Sequence, residues 1–197
     1  MTSFFIGGIM KIYFVERNLN KLEKLKLYFK DESNIEFVNE NFIDFMQNNK
    51  VDCVVSPANS FGLMDGGFDL AITNYYGDQL QKRVQKYIIE NYYGEQPVGT
   101  SFIIDAGKDN QYLIHTPTMR VPERILDSRV IYHCMRTCLI EAKKNNIENI
   151  VIPMFGGCTG CINSDTIARM MYLAYNQLKE VPEEINWEYA NKIKLKW

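Results

Sequence analysis

The sequence has no apolar run approaching the ~20 residues of a membrane span. It has no basic excess, no internal repeat, no low-complexity stretch and no proline- or glycine-rich linker. Lys and Arg number 22 against 24 Asp and Glu, a formal net charge of −2. So balanced a chain lacks the electrostatic drive for non-specific nucleic-acid binding, and nucleic acid is not an expected partner. A nucleotide ligand needs only a local pocket and is untouched by that argument. With no linker in 197 residues, one domain is expected, over residues 10–180. Hydrophobic residues make up 46% and charged residues 23%, a globular balance that excludes the disordered and fibrous classes.

The opening stretch Met1–Met10 is apolar but short. It lacks a basic n-region and a clear small-residue cleavage site, so no signal peptide is expected. Residues 1–9 are read as an N-terminal appendage. Residues 181–197 are polar with two tryptophans. They are read as a C-terminal extension that packs its aromatics on the domain. Five cysteines, an odd count without a secretory signal, point to reduced thiols and a cytoplasmic location.

Periodicity predicts alternating strands and helices. Lys11–Val15, Ile35–Val38, Asp52–Ser56, Val98–Asp105, Tyr112–Thr116 and Asn149–Pro153 are strand candidates. Leu19–Phe29 sets Leu22, Leu25 and Phe29 on one helical face. Phe68–Asn91 is helical with a break at Gly77, and Asp127–Lys144 and Thr166–Leu178 are further helices. The central strands are apolar on both faces, which argues an α/β fold with its sheet covered on both sides.

Sites in open α/β sheets lie at the carboxyl ends of strands. Two such ends here are rich in glycine. In the first, Val54–Ser56 runs into Pro57-Ala58-Asn59, then Gly66-Gly67-Phe68-Asp69 at a helix start. Glycine lets backbone approach a ligand closely, and a helix N-terminus offers free N–H groups to phosphate. In the second, Ile150–Ile152 runs into Pro153, then Phe155-Gly156-Gly157-Cys158-Thr159-Gly160. Three glycines in five residues suggest a backbone cradle for an anion. The second stretch is no P-loop, because no Lys-Ser/Thr pair follows, and no GxGxxG fingerprint either. Two such loops at strand ends imply a two-sided cleft.

On these residues the sequence resembles the macrodomains, the family that binds ADP-ribose. The resemblance covers about Asn39 to Leu178. The family's Asn-Ala-Ala-Asn stretch is matched by Ser56-Pro57-Ala58-Asn59, and its Gly-Gly-Gly-Val-Asp stretch by Asp65-Gly66-Gly67-Phe68-Asp69. Its Ile-His-Thr strand end is matched by Ile114-His115-Thr116, and its Pro-x-x-Gly-x-Gly by Pro153–Gly160. The resemblance implies a three-layer α/β/α sandwich around a mixed, mostly parallel sheet. It implies an ADP-ribose or ADP-ribosylated partner, no cofactor and no metal. The family's Gly-Asp-Ile, whose Asp meets adenine, is matched by Glu40-Asn41-Phe42, where Asn41 brings an acceptor without charge. Asp65 and Cys158 also depart from the family pattern.

Carried over residue by residue, Asn59 holds the distal ribose and Asp69 helps activate water there. Asn41, Phe42 and Ala58 are further ligand-binding candidates, and Gly66, Gly67 and Phe68 form one wall. Phe155, Gly156, Gly157, Cys158, Thr159 and Gly160 form the other. The expected activity is hydrolysis of an ADP-ribosyl bond or an ADP-ribose derivative, such as a mono-ADP-ribosyl protein or ADP-ribose 1''-phosphate. A binding module with the same pocket and no turnover is the first alternative.

Cys158-x-x-Cys161 has the spacing of a thioredoxin-like redox motif. With Cys134 and Cys138 it also matches a four-thiolate zinc site, and a cysteine-based zinc or redox protein is the second alternative. Cys134 and Cys138 lie on an apolar helical face, where cysteine behaves as a small hydrophobe. His115 is expected to be a structural hydrogen-bonder.

Overall fold

A computed structural model describes residues 10–192. Residues 1–9, read as an appendage, lie outside the described residues, as do 193–197. Six strands form one sheet: β1 (Lys11–Val15), β2 (Ile35–Val38), β3 (Cys53–Ser56), β4 (Phe102–Asp105), β5 (Tyr112–His115) and β6 (Asn149–Val151). Their order is β2-β1-β6-β3-β5-β4. Every pairing is parallel except that of β4 with β5. The helices are α1 (Leu19–Phe29), α2 (Phe42–Asn48), α3 (Gly67–Tyr76), α4 (Gln79–Tyr92), α5 (Arg129–Lys144), α6 (Ser164–Lys179) and α7 (Trp187–Lys192).

The period of two along each strand divides the core. Ile12 and Phe14 of β1, Cys53 and Val55 of β3 and Ile150 of β6 face one way, packing with α1, α5 and α6. Tyr13, Val15, Val54, Leu113 and Val151 face the other way, packing with α2, α3 and α4. The result is the three-layer α/β/α sandwich around a mixed, mostly parallel sheet. Parallel strands that bury both faces must be apolar throughout, as these are.

Gly77, with φ 90°, separates α3 from α4 and closes α3 through its N–H to the Thr73 carbonyl. That left-handed backbone suits glycine and accounts for the predicted break. The fourth strand begins at Phe102 rather than Val98. Before it the chain turns at Gly99, φ 80°, whose N–H donates to the Pro117 carbonyl, so residues 98–101 leave the ladder.

Helix α2 was not expected from periodicity. It is seven residues long and is set by its cap. The Asn41 side chain accepts from the Asp44 N–H at 2.9 Å, and Phe42, Phe45 and Met46 bury one face. The C-terminal expectation also needs correction. Trp187 does not pack on the domain: it is 83% exposed, in a helix of six residues. Fewer than two turns give no apolar stripe to bury. Trp197 lies outside the described residues.

Candidate functional site

A cleft of about 1150 Å³ opens at the carboxyl end of the parallel strands. It is large enough for a nucleotide-sized ligand. Each strand end contributes a piece. Glu16 and Arg17 follow β1, Asn39 to Phe42 follow β2, and Pro57 to Asn59 follow β3. Thr118, Met119 and Pro122 come after β5, and Met154 with Gly156 to Gly160 after β6.

The first glycine wall is the start of α3. Gly66 is its N-cap, so no side chain caps the helix. The first helical hydrogen bond runs from the Leu70 N–H to the Gly66 carbonyl. The N–H groups of Gly67, Phe68 and Asp69 therefore have no partner within the helix. Gly67 needs its freedom, with φ 56°. Gly66 does not, for a Cβ there meets nothing within 4 Å. Phe68 packs edge-on against Phe42 at 5.1 Å, which closes the wall between α2 and α3.

The second wall folds on itself. The Gly156 carbonyl accepts from the Ile162 N–H at 3.2 Å, and the Cys158 carbonyl from the Cys161 N–H at 3.0 Å. The Ile125 N–H donates to the Gly160 carbonyl at 3.0 Å. Gly156 has φ 69°. A Cβ on Gly160 would stand 2.8 Å from the Gly156 carbonyl oxygen and 2.6 Å from Ile125 Cδ1, so nothing larger fits. From α1, the Lys21 ammonium donates to the Gly157 carbonyl at 3.0 Å.

Asp69 sits in the first turn of α3 and lines the cleft. The Ser56 hydroxyl, at the end of β3, donates to its Oδ1 at 2.6 Å. Burial pushes the carboxyl up to about 7; the Ser56 hydrogen bond opposes the rise, and the nearby charge of Asp65 adds to it. A carboxyl at that level exchanges protons near neutral pH, as a general base must.

Asn59 lines the same cleft but is largely occupied. Its Oδ1 accepts from the N–H groups of Phe61 and Leu63, and its Nδ2 donates to the Leu63 carbonyl at 2.7 Å. The amide thus pins its own loop and keeps one N–H for a ligand. Asn41 is likewise engaged, as the cap of α2. Ala58 and Phe42 are buried at the cleft floor and edge. Phe155 is the one expected wall residue that does not reach the cleft. It is 0% exposed and packs in the core on the α5 and α6 side. Its neighbours Met154 and Gly156 are on the lining.

Sequence reasoning missed Glu16, Arg17 and Lys21. Being at the carboxyl end of β1 was the signal available for the first two. The Thr118–Pro122 loop also reaches the cleft, through Thr118, Met119 and Pro122. It is fixed to the first wall by the Thr118 N–H to the Ala58 carbonyl and the Ser60 N–H to the Met119 carbonyl. Arg120 instead faces away, paired with Glu95 at 2.8 Å over the Phe61 ring.

His115 lies off the cleft. Its Nδ1 meets Gln96 Oε1 at 2.6 Å and its ring stacks on Phe102. Burial lowers its pKa to about 3. The unfolded chain, with an ordinary pKa of about 6.5, takes the proton first. Stability from the neutral ring is therefore complete above about pH 6.5 and falls by up to about 1.4 kcal/mol per pH unit below it. The His115 ring resonances are expected not to titrate between pH 8 and 5 in the native protein. A midpoint near 6.5 would contradict this.

The four-thiolate alternative finds no geometry. Cys134 and Cys138 are buried on α5, while Cys158 and Cys161 are exposed. Among the described residues no three His, Cys, Asp or Glu side chains come together as metal ligands.

Comparison with known proteins gives the family. The family model described as Macro domain matches residues 55–171, more than half of the chain. The chain belongs to the Macro domain family. An uncharacterized protein of Aquifex aeolicus is 32% identical over 122 residues, covering 61% of this chain and 70% of its own. Among solved structures, the macrodomain of Mycobacterium tuberculosis DarG matches with TM-score 0.58 at 19% identity, over 70% of this chain and 89% of that one. A mutant of the Oceanobacillus iheyensis macrodomain, solved with ADPR, matches with TM-score 0.58 at 22% identity, over 67% and 73%. These likenesses establish the shared α/β fold.

Proposed function

We propose that the cleft binds ADP-ribose, free or carried on another molecule, and that the protein hydrolyses an ADP-ribosyl bond or an ADP-ribose derivative. One observation carries the reading. Two glycine-built backbone walls face a single cleft, with a carboxyl titrating near neutrality on one of them. The N–H groups of residues 67–69, which have no partner within the helix, and the loop 156–160 suit a diphosphate between them. The related fold solved with ADPR supports the same ligand. Fold alone does not fix activity, so the chemistry rests on the site.

In this reading Asp69 accepts a proton from water at the distal ribose. The oxygen of that water bonds to the anomeric carbon as the bond to the leaving group breaks, and the leaving group departs with the bonding electron pair and takes up the proton that Asp69 releases. Asn59 orients the ribose through its remaining N–H. Mono-ADP-ribosyl protein and ADP-ribose 1''-phosphate are the substrates to test, with release of ADP-ribose as the readout. Binding without release from either would favour the module without turnover. The engagement of the Asn59 amide in its own loop favours that second reading. The unpaired cysteines fit a reducing, cytoplasmic setting.

Lys21 supplies charge to the second wall. Lys21→Met is expected to weaken ADP-ribose binding about tenfold at low salt and less at high salt, because screening weakens an ionic contribution. Unchanged affinity at low salt would remove Lys21 from the site.

A further inference from the structure

The pair Cys158 and Cys161 is not used by the proposed chemistry, and its placement is unusual. Of five thiols, Cys53, Cys134 and Cys138 are buried and these two are exposed. Burial pushes all three of those inner thiols well up, which makes them inert. Cys158 and Cys161 stand at the two ends of one turn, closed by the Cys161 N–H to the Cys158 carbonyl at 3.0 Å. Residues i and i+3 of such a turn have Cα atoms within about 7 Å. Disulfides need about 4.4–6.8 Å. Cys161 also has φ 52°, a left-handed backbone that a non-glycine residue seldom takes. Such outliers gather at functional sites. The turn they bracket is part of the cleft: Cys158, Thr159 and Gly160 all line it.

We propose that Cys158 and Cys161 form a thiol–disulfide pair built into the second wall, and that closing the disulfide remodels that wall and releases the ligand. The ligand half of this statement rests on the ADP-ribose reading above. The oxidant is a small-molecule disulfide of the glutathione class. The Cys158 thiolate attacks one of its sulfurs, forming a mixed disulfide and expelling one thiolate. The Cys161 thiolate then attacks the Cys158 sulfur, forming the ring bond and expelling the second. Two protein thiols lose two protons and two electrons, and the oxidant becomes two thiols. Excess reduced thiol reverses both steps.

The wall cannot absorb this change quietly. Disulfide closure draws the two Cβ atoms to about 3.8 Å. Gly160 has no free space, standing against Gly156 and Ile125, and its carbonyl is held by the Ile125 N–H. Rotation therefore falls on the peptide groups of residues 158–160, which are those lining the cleft.

The 197-residue protein is equilibrated in glutathione buffers of graded ratio. It is then read by mass, by amide NMR of residues 156–162 and by ADP-ribose calorimetry. The expected result is a species lighter by two hydrogens with the bond mapped to Cys158–Cys161. Its loop amides are shifted, and its ADP-ribose affinity falls at least tenfold and returns on reduction. Cys161→Ser is expected to trap glutathione on Cys158 and to form no ring. A stable glutathione adduct on the wild type without ring closure overturns the proposal. So does a closed ring with unchanged loop amides and affinity. A reduced protein that binds no ADP-ribose overturns the ligand reading instead, and mass and loop amides still decide whether the pair closes and remodels the wall.

Discussion

Asp69→Asn is expected to lower hydrolysis of an ADP-ribosyl bond by about 10²–10⁴-fold, the usual worth of a positioned general base. ADP-ribose affinity is expected to stay within about threefold, because the amide keeps the shape and the Ser56 hydroxyl can still donate to its oxygen. The wild-type pH profile follows from the same group. The acting form is the carboxylate, and the carboxyl titrates at about 7. Turnover is therefore expected to fall about tenfold per pH unit below 7 and to level off above it. Single-turnover assays of purified wild type and variant across pH 5 to 9 read both effects. Undiminished turnover by Asp69→Asn would remove the residue from the chemistry.

The second large effect belongs to Gly160. In Gly160→Ala the new methyl would stand 2.8 Å from a backbone oxygen and 2.6 Å from Ile125 Cδ1. The backbone oxygen cannot swing aside as a flexible side chain can. Overpacking of this kind costs about 1–3 kcal/mol, and the loop must deform where it lines the cleft. ADP-ribose binding is expected to weaken at least a hundredfold and Tm to fall by several degrees. Gly66→Ala is the matched contrast. Its Cβ meets open space and its φ of −145° suits any residue. Stability there is expected to stay within about 0.5 kcal/mol. Equal losses in the two variants, in thermal melts and calorimetry, would mean that glycine content rather than loop geometry matters.

These two glycine stretches look alike in sequence, and the difference between them illustrates what a chain discloses. Apolar runs and the 3.6 period made the layers legible, because burial demands them: Leu22, Leu25 and Phe29 can share a face only in a helix. The strand-end rule made the cleft legible, since loops after parallel strands converge on one edge. Contacts between distant segments were not legible. Lys21 reaches Gly157 across 136 residues, and no local pattern announces it. Phe155 packs into the core while its neighbours Met154 and Gly156 line the cleft, a division that residue type alone does not show. Ser56 meets Asp69 because β3 ends opposite the first turn of α3. Trp187 stays exposed because its helix is too short to bury a face, while composition alone favours packing for any tryptophan.

The central claim is that the two walls hold ADP-ribose. Calorimetry of the reduced protein with ADP-ribose, and with AMP as the control, tests it most directly. Micromolar binding near one to one that AMP does not match is the predicted result. A folded protein that takes up neither ligand, or binds AMP equally well, would contradict it.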